Sequence, residues 1–156
     1  TQARMGGPFQ WEDAYVASLE ATQSRPHPAA TAAHNGYVQA FGIVHRRHVA
    51  WTGVARWELT DTFEGRGGVL MRGALHLGNA RSVVPHGGVW LADYGMFRLL
   101  VTPPAGALVH VYHGSRAPFV GWRSTVYGRW DPMYSLVYEA PLVKDAIHVV
   151  QLEIRA

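Results

Sequence analysis

The alternation of apolar and polar residues along this chain predicts strands almost throughout. Residues 37–45, 48–60, 69–77, 88–93, 96–102, 107–113, 123–130, 133–140 and 146–155 are rich in Val, Leu, Ile, Tyr and Trp, many at every second position. Within 48–60 the alternation places Trp51, Gly53, Ala55, Trp57 and Leu59 on one side, and Thr52, Val54, Arg56, Glu58 and Thr60 on the other. Turn signals separate the segments: Arg46-Arg47 as an exposed bend, 61–68 as a loop, Tyr94-Gly95, Pro103-Pro104-Ala105-Gly106 and Asp131-Pro132. Only residues 11–22 break the texture. There Trp11, Ala14, Tyr15 and Leu19 fall near helical spacing, Glu12 and Asp13 suit a first turn, and Pro26 follows. The pattern predicts a mainly β protein: a single antiparallel, calycin-like barrel of about 8–10 strands, with an N-terminal helix over 11–22. Residues 1–10 form a flexible lead-in, with 1–4 expected to precede a native start at Met5, and residues 11–156 form one domain.

Composition sharpens this picture by exclusion. With no cysteine, thiolate nucleophiles, disulfides and iron–sulfur clusters are ruled out. No apolar run reaches the length of a membrane span and no secretory leader opens the chain, so the expected setting is cytoplasmic, away from membranes. The net charge of +3 comes with scattered arginines and a single lysine, Lys144, not with a basic stripe of the kind that binds nucleic acid. The nine histidines include no H-x-H pair and no H-E-x-x-H, so neither a metal nor any other cofactor is expected. Nucleophile elbows are missing, and the glycine-rich run Gly65-Arg66-Gly67-Gly68 precedes no helix.

Acid–base chemistry or binding in an aromatic-lined cavity is what survives. The meander 87–114 concentrates the candidates. Asp93 ends the strand VWLAD, while His110 and Tyr112 share a face of a later strand; these three are the expected catalytic groups. Capping of a turn is the competing role for Asp93. Trp57, Glu58, Trp90, Phe97, Arg98, Tyr127 and Tyr138 are the expected substrate-binding residues.

Several segments from Gly67 onward carry a resemblance: GGV with Gly73, the strand ending at Asp93, GALVHVYHG at 106–114, the strand 123–130, and YSLVYEAPLV at 134–143. Over about 90 residues the order of these segments resembles an uncharacterised family of small bacterial calycin-like barrels, without a clear G-x-D-W segment. The design also resembles small barrel cyclases of the allene-oxide-cyclase-like and spirotetronate-cyclase types. That likeness implies a cofactor-independent cyclase or isomerase of secondary metabolism. Its substrate would be a hydrophobic, polyketide- or terpene-like small molecule held in the lumen. The alternatives are a non-catalytic carrier of a hydrophobic small molecule and, ranked last, a His-ligated metal enzyme. Exposed edges and aromatic patches favour a homodimer.

Overall fold

The computed structural model describes the backbone of residues 4–7, 10–12 and 15–156, and side chains from residue 15 onward. The elements in chain order are β1 (Arg4–Gly7), β2 (Gln10–Glu12), β3 (Ala17–Gln23), β4 (Ala29–Tyr37), the single helical turn α1 (Val38–Phe41), β5 (Ile43–Gly53), β6 (Arg56–Gly65) and β7 (Val69–Leu77). There follow β8 (Ser82–His86), β9 (Val89–Asp93), β10 (Arg98–Thr102), β11 (Leu108–His113), β12 (Ser115–Arg116), β13 (Phe119–Val120), β14 (Trp122–Arg123), β15 (Asp131–Pro132), β16 (Tyr134–Leu142) and β17 (Ala146–Arg155). The protein is mainly β, and β3-β4-β5-β6, β8-β9-β10-β17 and β11-β16 pair antiparallel.

Two compact units share the chain: Thr1–Val69 with Pro141–Val149, and Leu70–Ala140 with Val150–Ala156. In the first unit the strands follow the order β3-β4-β5-β6-β17, beside a small β1-β2 hairpin. In the second, β17-β10-β9-β8 forms one run and β11-β16-β7 a separate three-stranded sheet. The described strands are thus distributed among open sheets, and the single closed barrel expected from the pattern is not found. No helix among the described residues is long and apolar enough to cross a membrane.

The expected helix over 11–22 is corrected where the structure describes it. Gln10–Glu12 and Ala17–Gln23 are strands, and residues 13–14 lie outside the described residues. The reason is a missing apolar face. Val16 and Leu19 are 69% and 68% exposed, so helical spacing there reflects no buried stripe, and the backbone pairs instead with β4.

Arg46 and Arg47, expected in a bend, lie inside β5, each held by ion pairs. The apparent strand 48–60 is a hairpin. Its tip lies between β5 and β6, where Ala55 takes a positive φ of 58°, and Trp51 faces Trp57 across the ladder. The expected loop 61–68 begins as strand, because β6 runs on to Gly65. Only Trp122–Arg123 of the predicted strand around 123–130 pairs as a strand.

In the second unit, β16 is buried on both faces, with Ser135, Leu136, Val137 and Tyr138 all inaccessible or nearly so. Its near-continuous apolar run is that of a central strand, not of a half-exposed one. Tyr138 packs over Gly73, where any Cβ would fall inside the phenol ring.

Candidate functional site

The most organised polar cluster lies in the first unit, on one face of β4-β5-β6. Directly paired residues of an antiparallel ladder project to the same side, so register alone assigns this face. Row by row it carries Trp51 with Trp57, then Ala30, Val49 and Leu59, then Ala32, Arg47 and Asp61, then His34, His45 and Phe63. The opposite face carries Thr31 hydrogen-bonded to His48 Nδ1 at 2.8 Å, and Arg46 paired with Glu20 and Glu64. His45 and His48 therefore diverge, as their spacing predicts.

A hydrogen-bonded chain crosses the last two rows. The Gly36 N–H donates to His34 Nδ1 at 3.2 Å, which assigns the remaining proton of a neutral His34 to Nε2. His34 Nε2 then donates to His45 Nδ1 at 3.0 Å, and His45 Nε2 donates to Asp61 Oδ1 at 2.7 Å. Arg47 closes the chain with a two-pronged contact, Nε to Oδ1 at 2.7 Å and Nη2 to Oδ2 at 2.8 Å. Tyr15 and Tyr37 stand edge-on to the His34 ring at 5.7 and 5.1 Å, and Phe63 stacks on His45 at 4.7 Å.

Burial acts against ionisation of Asp61, which is only 2% exposed, but the hydrogen bonds and charges of His45 and Arg47 outweigh it and hold the carboxyl below its ordinary range. Burial, with the repulsion of Arg47 and of a protonated His45, pushes the His34 pKa down. His148, edge-on to Phe63 at 5.9 Å, is likewise shifted down by burial, with Asp61 opposing. Its Nε2 is buried without a hydrogen-bond partner. In the His34–His45 pair every ring nitrogen is engaged, so the chain locks orientation and leaves no free base on those two rings. Among the described residues no three His, Asp or Glu side chains are grouped to hold a metal.

An apolar groove occupies the other end of the same face. It encloses about 420 Å³ between Trp51, Trp57, Val49, Ala30, Ala29, Pro28 and Gln23. The Trp51 N–H bonds to the Pro28 carbonyl at 2.8 Å, and the His27 ring stands 6.1 Å from the Trp51 indole.

The residues expected from the sequence are dispersed. Trp57 lines this groove, and Glu58, on the opposite face, accepts from Thr60 Oγ1 at 3.3 Å. The others belong to the second unit. Asp93 accepts from the Gly95 N–H at 2.8 Å, the turn-capping role. Trp90 is half-buried on β9, Phe97 stacks on Tyr94 at 4.7 Å, and Arg98 is exposed opposite Asp93 in the ladder. His110 and Tyr112 do share a face of β11, with rings 6.1 Å apart, but in a different sheet from Asp93. Tyr127 is fully exposed on a loop, and Tyr138 is a core residue. His34, His45, Arg47 and Asp61 escaped sequence reasoning because only strand register joins them.

A family model described as heparinase II/III-like, C-terminal, matches residues 1–147. Among solved structures, the heparan sulfate lyase HepC from Pedobacter heparinus aligns with a TM-score of 0.72 at 14% identity. A heparinase III aligns with a TM-score of 0.68 at 13% identity. Each alignment covers 88% of this chain and 21% of the other, so the chain spans about a fifth of those proteins' length. At such identities the likeness is one of fold. No curated protein matches the sequence. These findings overturn the expected likeness to calycin-like barrels and barrel cyclases, and with it the cyclase of natural-product biosynthesis acting on a polyketide- or terpene-like substrate. The short segments behind that expectation record common strand-and-turn chemistry, and the chain belongs to the heparinase II/III-like C-terminal family.

Proposed function

We propose that this chain works as the C-terminal β part of a polysaccharide lyase of the heparinase II/III type, holding an acidic polysaccharide for cleavage by elimination. The family match over residues 1–147 carries this reading, and the fold shared with heparan sulfate and heparin lyases supports it. The site geometry is consistent with a binding and orienting role. Both ring nitrogens of His34 and of His45 are occupied, whereas Arg47 on the same face, although matched by Asp61, keeps its side chain 44% exposed. A polyanion gains from an exposed guanidinium by attraction as well as contact.

The test is to incubate the full-length natural protein with heparan sulfate and other acidic polysaccharides, and to follow the ultraviolet absorbance of the unsaturated sugar that elimination leaves. Absorbance growing with time on at least one acidic polymer is expected. Cleavage without the double bond, or no cleavage of any acidic polymer, would overturn the proposal.

A further inference from the structure

We infer that the groove between Trp51 and Trp57 is a stacking subsite for a sugar residue of an anionic polysaccharide, an inference that rests on the function proposed above. Trp51 and Trp57 are cross-strand partners at the end of the β5-β6 hairpin, and both remain partly open to solvent. The groove's volume of about 420 Å³ is within the range of small-ligand sites. Besides the two indoles, Gln23 is the one polar residue along it. A pyranose ring suits this composition: its C–H face meets the electron-rich face of an indole while its hydroxyls stay at the rim.

Charge selects the class of sugar. Arg46 lies on the opposite face with Glu20 and Glu64, and Arg47 is matched by Asp61, so the cations close in sequence to the lining residues that bear on the groove are Arg25 and Arg56. Arg25 is exposed on the loop leading to Pro28, and Arg56 is exposed beside Trp57. Neutral ligands gain nothing from these cations, and a second copy of the chain would bring the same basic rim and be repelled. Along β5, Arg47 follows Trp51 on the same face at roughly 13 Å, given about 3.3 Å per residue. A polymer seated on the indoles can therefore continue over Val49 toward the Arg47–Asp61 pair.

The experiment titrates the full chain with a heparan sulfate hexasaccharide and with a neutral cello-oligosaccharide of equal length, by calorimetry. Trp51→Ala and Trp57→Ala should each weaken the acidic ligand about ten-fold, the order of a lost stacking contact. Trp51→Phe should retain most of the affinity, and Arg25→Gln, on an exposed loop where folding is not at stake, should weaken it about three-fold and flatten its salt dependence. Acidic binding that is untouched by both alanine variants and by Arg25→Gln would overturn the subsite while leaving the lyase reading standing. Equal affinity for the neutral oligosaccharide would overturn the anionic class. A dimer of the parent chain abolished by Trp51→Ala would overturn it in favour of self-association. If the unaltered chain bound no acidic oligosaccharide and the full-length protein gave no elimination product, both readings would fall together.

Discussion

The β4-β5-β6 face of the first unit and the stretch β9 to β11 of the second, expected to be a meander, hold similar inventories of His, Asp, Arg and aromatic residues, yet only the first assembles them. In that stretch the polar groups are near in sequence: Asp93 is spent on the Gly95 turn, and His110 stands in another sheet. On the first face the groups come from three strands, and register aligns them row by row. Polar residues close in sequence along successive strands are divided between faces and turns, whereas residues far apart converge when paired strands put them in one row.

Removal of Asp61 should show this difference most strongly. Asp61→Ala leaves His45 and Arg47 without their shared acceptor at a buried position, and should cost about 3 kcal/mol of stability in urea unfolding. Asp93→Ala loses one exposed turn bond and should cost about 1 kcal/mol. Equal losses would erase the distinction.

Gly73→Ala comes next. It drives a methyl group into the Tyr138 ring of the second unit's core, and should cost about 2 kcal/mol, read from the same unfolding curves. A neutral result would mean that the core around β16 yields more easily than its burial suggests.

The pH profile then sharpens the account of the His chain. His34 and His148 have folded pKa values below their ordinary 6.5, so the unfolded chain takes up protons first as pH falls through that value. Stability should therefore decline below about pH 6.5. A second, more acidic stage of the same decline belongs to Asp61: its folded value lies below 3.8, so its contribution is complete above 3.8 and is lost as pH falls through the lower folded value. Thermal unfolding across this range should show both stages, and His34→Gln should shrink the first. An unchanged first stage in that variant would remove His34 from the account.

The smallest effects belong to exposed groups of the second unit. His110→Ala and Tyr127→Ala should each change stability by less than about 0.5 kcal/mol and leave retention on a heparin column unaltered. Loss of retention in either would restore the second unit as a binding region.

The two regions also show what a single sequence discloses. Strand content was legible because alternation at Val69–Leu77, Leu108–His113 and Ala146–Arg155 is local. Trp57 stands on a strand face beside a groove, a position that its alternation with Trp51 suggests. The His34–His45–Asp61–Arg47 chain was not legible, since it depends on a hairpin whose tip, at Ala55, has no glycine or asparagine to mark it. Tyr138 and Tyr127 illustrate the same limit from the other side: both are strand-rich aromatics by composition, yet one is sealed in a core and the other fully exposed.

The division of β17 between the two units has a consequence for biosynthesis. Ala146–Val149 belongs to the first unit and Val150–Ala156 to the second, so neither has its closing strand until nearly the whole of this segment has left the ribosome. Long-range closure of this kind slows folding and keeps strand edges open on the nascent chain. Both units therefore stay incomplete on the nascent chain until the same few codons have been translated.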